Sequence, residues 1–545
     1  MRRSSYRLLS SKLNVTSWIN PNSTTNNSTL AYQYLGQTLN SKVYSAAIQT
    51  PLQRANSLSS STGNNIYFKR EDLQPVFSFK IRGAYNKIAS LDDEMLRKGV
   101  VCCSAGNHAQ GVAYSAKSLN IKAVIVMPLE TPKIKVDAVR RFGGSNVEVV
   151  LHGPNYDEAS AEAKRIQIEQ DLSMIHPFDD VEVIAGQGTI GVEILKQSDN
   201  DPDVIFICCG GGGMLAGIAA AVKALKPHVK IIGVEADDAA GMTASLAANE
   251  IVTLPTVGVF ADGAAVKTIG KNTWNLSREF VDEMITVTTD ELCAAIKLGF
   301  NDTRCIMEPA GALGIAGMVK YSQQHELKGK NLVAILSGAN MDFDRLRFVS
   351  ERADSSEIMV SVTLPETPGS FLQMYQRLFP PRNVTGFSYR CNGTDKADVL
   401  LTFQAAPGGD ISEDKEEVMK IFEDLGHEVM DLQDNELAKA HARYLSGGRL
   451  RNGDKNHGCT EKLYRFEFPE TAGALSRFLH LLYEHKSDWS ISLFHYRNHG
   501  HDFGRVLCAF RVPHDEMDKF NEFLENVGYN CYDESTNAVY EQFLR

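Results

Sequence analysis

Between about residues 45 and 350, short unbroken apolar runs alternate with longer stretches rich in Ala and Lys. The runs are Val100-Val101-Cys102-Cys103, Ala123-Val124-Ile125-Val126-Met127, Val147-Glu148-Val149-Val150, Val204-Ile205-Phe206-Ile207-Cys208, Ile231-Ile232-Gly233-Val234 and Leu332-Val333-Ala334-Ile335-Leu336. They are short, β-branched and continuous rather than alternating. That pattern suits parallel strands covered by helices on both faces. Strand and helix taking turns predicts a doubly wound α/β region with ligands at the carboxyl ends of its strands.

From about residue 357 the texture changes and an internal repeat begins. Pro365-Glu366-Thr367-Pro368-Gly369-Ser370-Phe371-Leu372 aligns with Pro469-Glu470-Thr471-Ala472-Gly473-Ala474-Leu475-Ser476. Phe387-Ser388-Tyr389-Arg390 aligns with Phe494-His495-Tyr496-Arg497, and Ala397-Asp398-Val399-Leu400 with Gly504-Arg505-Val506-Leu507. Gly426 followed by Asn435 matches Gly528 followed by Asn537. Each copy reads as a split βαββαβ unit of α+β type. The expected division is 1–35 targeting or disordered segment, 36–350 α/β region, 357–446 first repeat, 447–459 polar linker and 460–545 second repeat.

At 545 residues the chain is long enough for several cores, and its net charge of −11 speaks against nucleic-acid binding. No apolar run is long enough to span a bilayer. The ten cysteines show no CxxC spacing; the adjacent pairs Cys102-Cys103 and Cys208-Cys209 sit in strand-like runs and read as small buried hydrophobes. Arg2, Arg3, Arg7, Lys12 and further basic residues precede the first acid, Glu71. Such a basic, Ser-rich, acid-free start reads as an organelle transit peptide, mitochondrial with a plastid as the alternative, or as a plain disordered tail.

Candidate chemistry lies in the turns. Lys80, in Ser78-Phe79-Lys80-Ile81-Arg82-Gly83-Ala84, stands in an apolar setting. Burial lowers a lysine's pKa and a neutral amine attacks an aldehyde, which makes Lys80 a Schiff-base candidate; a helix-start lysine laying its stem over apolar surface is the plainer alternative. Gly210-Gly211-Gly212-Gly213-Met214 follows a strand and opens a helix, so its N–H groups can converge on a phosphate. The same residues also fit a loose dinucleotide fingerprint, with Glu235 as the ribose acid. Ser104-Ala105-Gly106-Asn107-His108 could hold a carboxylate on its backbone, with Asn107 bonding a phenolic oxygen, or simply cap a helix. Glu308-Pro309-Ala310-Gly311 and Ser337-Gly338-Ala339-Asn340 are two further turns of this kind, and Glu308 is either a site carboxylate or a helix-start acid. His495, His499 and His501 have a metal-like spacing, yet the first repeat lacks matching histidines, so no metal site is assigned.

Taken together, Ser78-Phe79-Lys80-x-Arg82-Gly83-Ala84, the 104–111 loop, His176-Pro177-Phe178-Asp179, Ala185-Gly186-Gln187-Gly188-Thr189, the four glycines, Glu308-Pro309-Ala310-Gly311-Ala312 and Ser337-Gly338-Ala339-Asn340 resemble the biosynthetic threonine deaminases. These are fold-type II pyridoxal-phosphate enzymes with two ACT-like regulatory domains. The resemblance runs from about residue 40 to the end. It implies that Lys80 forms the Schiff base and moves the α-proton. Phe79 would lie against the cofactor ring, Asn107 would bond the ring oxygen and Ser337 would meet the pyridine nitrogen. Gly210, Gly211, Gly212, Gly213 and the Met214 N–H would cradle the phosphate. Ser104, Ala105, Gly106, Asn107 and His108 would bind the substrate carboxylate. It further implies L-threonine as substrate, isoleucine as inhibitor with valine as an opposing effector, and a homotetramer. A serine dehydratase or racemase, or a non-catalytic amino-acid sensor, are the alternative readings.

Overall fold

The computed structural model describes residues 26–353, 357–365, 378, 382–390, 396–406, 411–441, 459–469, 478, 481, 490–497 and 503–544. Two compact units emerge, Met1–Asp342 and Phe343–Arg545. The division falls before the helix Arg345–Arg352, eight residues earlier than the expected boundary at 350. At the other end, the helix Asn26–Leu39 crosses the expected boundary at residue 35. Its Ala31, Tyr34, Leu35 and Thr38 are buried, so ten residues assigned to the leading segment belong to the folded unit. Their polar neighbours Asn26, Asn27 and Ser28 disguise the start of this helix.

Among the described residues, ten strands build the first unit: β1 (Leu52–Arg54), β2 (Asn65–Arg70), β3 (Val100–Cys103), β4 (Ala123–Met127), β5 (Val147–Leu151), β6 (Ser173–Met174), β7 (Val204–Cys208), β8 (Lys230–Ala236), β9 (Glu283–Val287) and β10 (Asn331–Leu336). They form two sheets, ordered β1-β2-β10-β7-β8-β9 and β5-β4-β3-β6. All neighbours run parallel except the β1–β2 edge pair. The smaller sheet is an insertion between β2 and β7, so the unit is two α/β subdomains. Central strands β3, β4 and β7 are buried at every residue, as continuous apolar runs require. In the small subdomain the helices Asn107–Leu119 and Lys133–Gly143 cover one sheet face through Val112, Ala116, Val136 and Val139. The helix Tyr156–Glu169 covers the other through Ala159, Ala163 and Ile166. Cys102 and Cys103 are buried and unpaired, one on each face.

An ionic cluster ties the start of the helix Lys80–Ala89 to the large sheet. Arg82 is fully buried and forks onto Glu71 (Nε–Oε2 2.7 Å, Nη2–Oε1 2.7 Å) and Glu193 (Nη1–Oε1 2.5 Å). Lys69 donates to Glu193 at 2.6 Å, to the Thr50 carbonyl at 2.6 Å and to Gln197 at 2.9 Å. Two cations and two carboxylates cancel, and each remaining lone pair meets a donor: the Thr50 hydroxyl reaches Glu71 at 2.5 Å and the Tyr44 hydroxyl reaches Glu193 at 2.8 Å. That is the condition under which charges tolerate burial.

The second unit contains β11 (Glu357–Pro365), β12 (Asn383–Arg390), β13 (Lys396–Gln404), β14 (Glu428–Asp431), β15 (Cys459–Pro469), β16 (Ser490–Arg497), β17 (Phe503–Pro513) and β18 (Asn530–Asp533). Its two antiparallel sheets share one order, β12-β13-β11-β14 and β16-β17-β15-β18. Most of the expected first helix of each copy, the 366–372 and 470–476 anchors, linker residues 447–458, His499 and His501 lie outside the described residues. Local bonds repeat between the copies. Leu432 N–H donates to the Met359 carbonyl and Glu534 N–H to the Leu463 carbonyl; Met359 N–H donates to Gln433 and Leu463 N–H to Ser535. The matched Asn435 and Asn537 meet, Nδ2 to Oδ1 at 3.4 Å. Around them, Met359, Leu400, Leu437 and Ala438 pack with their counterparts Leu463, Leu507, Val539 and Tyr540 in one apolar cluster. The two copies are therefore joined as a pseudo-twofold pair.

Candidate active site

Lys80 is the first residue of its helix, and its Nζ donates to the Pro177 carbonyl at 2.9 Å. Burial strips water from the ammonium and lowers its pKa to about 8, against the pull of Cys208 and Glu308. Lys80 thus stands at a helix start, as the plainer reading has it, but is only partly exposed and has a depressed pKa. The chain enters this helix under strain: Phe77 has φ 57°, a left-handed conformation that bulky residues avoid. It is held there by the Ala339 N–H, which donates to the Phe77 carbonyl at 2.9 Å. Next to it, the Phe79 N–H donates to the Ser337 carbonyl at 3.1 Å, which fixes Lys80 against the end of β10.

Ser337 is buried one residue past β10, and Cys208 ends the adjacent β7. The Cys208 thiol donates to the Ser337 Oγ at 3.4 Å, and the Ser337 hydroxyl donates to the Ala310 carbonyl at 3.2 Å. Asn107 is pinned on both sides: its Nδ2 donates to Glu308 Oε1 at 2.5 Å and its Oδ1 accepts from Asn340 Nδ2 at 2.7 Å. An amide NH₂ has two hydrogens, so one stays available for a ligand oxygen. Glu308 is thus a site carboxylate, and the turns after β3 and β10 and before the helix Pro309–Gln324 converge as their sequence pattern predicts.

The four glycines form a cup at the start of the helix Gly213–Leu225. Helix geometry leaves the first N–H groups without partners, and their dipoles favour an anion. Gly212 has φ +90°, which turns the chain into the helix. At Gly211 the reason for glycine is space: a Cβ there would lie 2.3 Å from the Phe178 ring. Thr273 Oγ1 donates to the Gly211 carbonyl at 2.7 Å and so keeps that carbonyl turned away from the cup. Gly211→Ala is expected to deform the cup by over-packing worth about 1–3 kcal/mol. If spent on the bound state, that weakens phosphate-anchored ligands about ten- to hundredfold. Titration of the protein with pyridoxal phosphate checks it, and unchanged affinity would refute the role of the cup.

Glu235 is not a ribose ligand. It is buried, and it accepts the N–H groups of Met242 (2.8 Å) and Thr243 (2.9 Å) and the Thr243 hydroxyl (2.7 Å), capping the helix Gly241–Ala248. With its oxygens so engaged, the dinucleotide alternative loses its acid.

The 104–108 loop leaves β3 with the Ser104 N–H donating to the Val126 carbonyl at 3.1 Å. Ser104 Oγ accepts the Gly106 N–H at 3.3 Å and shapes the turn. The His108 side chain points away from the site and is buried, Nε2 donating to the Ile175 carbonyl at 2.9 Å. Burial and the nearby Lys80 push its pKa down to about 3, so it stays neutral. Sequence reading missed the other wall. The loop Val257-Gly258-Val259-Phe260-Ala261-Asp262-Gly263-Ala264 packs at the junction of all these groups: a Cβ on Gly263 would lie 3.0 Å from Ala310 and 3.8 Å from Asn107 and Glu308, and one on Gly210 would lie 2.9 Å from Ala264. Two glycines in a strandless stretch were its only signal. Asp179, in the motif His176-Pro177-Phe178-Asp179, caps the helix Lys271–Phe280 through the N–H groups of Lys271, Asn272 and Thr273.

An amine whose pKa is brought down to about 8, an anion cup, a hydroxyl at the strand ends and an amide donor are the requirements of a phosphate-bearing pyridine aldehyde, and the residues fit pyridoxal phosphate. The model of pyridoxal-phosphate dependent enzymes matches residues 43–338, and that of the C-terminal regulatory domain of threonine dehydratase matches 349–442 and 453–544. The chain is 50% identical to the mitochondrial threonine dehydratase of Schizosaccharomyces pombe over 521 residues, covering 94% of this chain and 84% of that one. It is 48% identical to the biosynthetic L-threonine dehydratase of Escherichia coli, covering 94% and 97%. Among solved structures, the processed threonine deaminase isoform 2 of Solanum lycopersicum is similar with a TM-score of 0.58 at 48% identity, covering 62% of this chain and 91% of that one. Maize serine racemase is similar with a TM-score of 0.54 at 33% identity, covering 58% and 96%.

Proposed function

Because this chain belongs to the biosynthetic threonine dehydratases, pyridoxal-phosphate-dependent lyases with a C-terminal regulatory region, we propose that it converts L-threonine to 2-oxobutanoate and ammonia by loss of water. The observation that carries this reading is Lys80: an amine with pKa about 8, beside an anion cup and between two strand ends. Bound pyridoxal phosphate supplies an electron sink for the pair released at the substrate Cα. The protein supplies everything else. The N–H groups at the start of the helix Asn107–Leu119 hold the substrate carboxylate and turn the Cα–H bond toward Lys80 Nζ. Lys80 takes that proton as general base. Ser337, a neutral hydroxyl buried beside Cys208, would partner the ring nitrogen of the bound cofactor, and an uncharged partner there would favour prompt loss of the β-hydroxyl. Purified protein given threonine should form 2-oxobutanoate; no keto acid with cofactor bound would overturn the proposal.

The same reading assigns isoleucine as inhibitor of this enzyme, valine as its opponent, a homotetramer as its assembly and the mitochondrion as its compartment. Support for the last comes from the acid-free, Arg- and Ser-bearing start, and the yeast relatives are named mitochondrial while a tomato relative is named chloroplastic. An effector shifts an enzyme only through unequal affinity for two states. Deleting residues 343–545 is therefore expected to retain threonine turnover and abolish the response to isoleucine. Initial rates with and without isoleucine test this, and inhibition that persists in the shortened protein refutes the assignment.

A further inference from the structure

An ion pair joins the two subdomains at a position that is electrostatically unusual. Lys135 Nζ lies 2.8 Å from Asp262 Oδ2, with about a fifth to a quarter of each side chain exposed. Lys135 belongs to the small subdomain, in the first turn of the helix Lys133–Gly143. Asp262 belongs to the large subdomain, on the 257–264 loop, and its Oδ1 accepts the Gly263 N–H at 3.0 Å.

Apart from Pro132, that helix start lacks the usual signals of a helix N-terminus. No side chain caps it, its first turn contains no acid, and it carries two lysines, Lys133 and Lys135. Cations at this end oppose the helix dipole. The missing negative charge comes from the other subdomain, as Asp262. A local rule broken where a distant group repairs it marks a site shaped by something other than local stability. The pair is also well placed. Gly263, next to Asp262, abuts Asn107 and Glu308, and the same loop backs the glycine cup through Ala264. Asn107 opens the small subdomain's helix after the 104–108 loop. One ion pair thus registers the carboxylate-binding loop of one subdomain against the cofactor-binding wall of the other.

We propose that Lys135 and Asp262 are a positioning pair that sets the spacing of the 104–108 loop over Lys80, and so governs substrate binding without touching substrate or cofactor. The proposal rests on the reading of that loop as the carboxylate site. A partly exposed pair contributes little to folding, so its loss leaves the protein folded. A small displacement between substrate and catalytic amine is costly to turnover, however.

The experiment compares Lys135→Met, Asp262→Asn and the exchanged double variant Lys135→Asp/Asp262→Lys in the cofactor-loaded enzyme. Each single variant is expected to raise KM for threonine about tenfold, since misplacement of the order of an ångström already costs up to about a hundredfold. Their cofactor absorbance and thermal midpoint should stay at the parent values. The exchanged variant should return KM to within about threefold of the parent, because contacting charges couple rather than add. Unchanged KM in both single variants, or an exchanged variant no better than either, overturns the proposal. Ser104→Ala separates the two readings. If it leaves KM unchanged while the single variants raise it and the exchange restores it, the pair stands and the carboxylate site lies elsewhere. If Ser104→Ala raises KM and the single variants do not, the pair is wrong and the loop assignment stands.

Discussion

Lys80→Ala is expected to lose both the visible absorbance of protein-bound cofactor and the formation of 2-oxobutanoate, with turnover down by at least about 10²–10⁴-fold from the missing base alone. The same amine does two jobs here: it tethers the aldehyde and it receives the α-proton, so no neighbouring group compensates. His108 and His176 are the nearest alternative bases in kind. The His108 ring is turned into the small subdomain's core, and His176 Nδ1 already accepts the Asp179 N–H at 2.8 Å. The environment of Lys80 adds a pH dependence. An exposed lysine stays protonated until well above pH 10, whereas burial brings Lys80 to about 8. Only the neutral amine attacks an aldehyde, so attachment of pyridoxal phosphate to cofactor-free protein should accelerate as pH rises, with its midpoint near 8. Stopped-flow absorbance measures this directly. A rate that is flat between pH 6.5 and 9, or a Lys80→Ala protein that keeps its colour and activity, would remove Lys80 from the mechanism.

Arg82→Met is expected to destabilise the catalytic unit by about 3–5 kcal/mol, the usual cost of removing one member of a buried ion cluster. The reason is what remains. Glu71 would keep only the Thr50 hydroxyl at 2.5 Å and Gln74 at 3.2 Å, and Glu193 would keep Lys69 and Tyr44, so two carboxylates would share one cation in the core. The deficit should shrink when the charges go together. Arg82→Met combined with Glu71→Gln leaves Lys69 against Glu193 as a balanced pair, and should recover a large part of the loss. Urea unfolding of the single and double variants measures both. A cost under about 1 kcal/mol for Arg82→Met would mean that the cluster relaxes easily or takes up water, contrary to the burial of all four groups. Arg82 is two residues past Lys80 on the same helix. The single variant should therefore also bind cofactor less tightly.

The two subdomains were legible wherever burial leaves an apolar run. β3, β4, β7, β8 and β10 are such runs, and each was expected. β2 was not, because Asn65-Ile66-Tyr67-Phe68-Lys69-Arg70 ends in two cations. Both are buried, and while Asp72 pairs with Arg70 from two residues on, the carboxylate that pairs with Lys69, Glu193, comes from a distant helix. Charge read along a sequence says nothing of a partner more than a hundred residues away. β6 has two residues and β9 is an edge strand with a mixed pattern, and neither stands out against the polar background. The turns that converge on the site were legible because Gly, Ser and Asn at strand ends have few other uses. What supports those turns was not. Phe178 against Gly211, Thr273 on the Gly211 carbonyl and Asn340 on Asn107 are contacts between distant segments, and even where the residue lies in a marked motif nothing local names its partner. The leading helix was missed for a related reason: its buried stripe of Ala31, Tyr34 and Leu35 is set among serines, threonines and asparagines.

Asn435 meeting Asn537 has an evolutionary consequence. Two separate chains related by a twofold axis are encoded once, so every substitution strikes both halves and any two sites related by the axis must stay alike. Covalent fusion removes that constraint. Each half of this pair mutates alone, and the halves have already drifted: Ala438 corresponds to Tyr540, and Leu432 to Glu534. One polypeptide can thus specialise one half for one signal and the other half for a second, and weigh the two against each other, which an identical pair of subunits is unable to do without breaking its own symmetry.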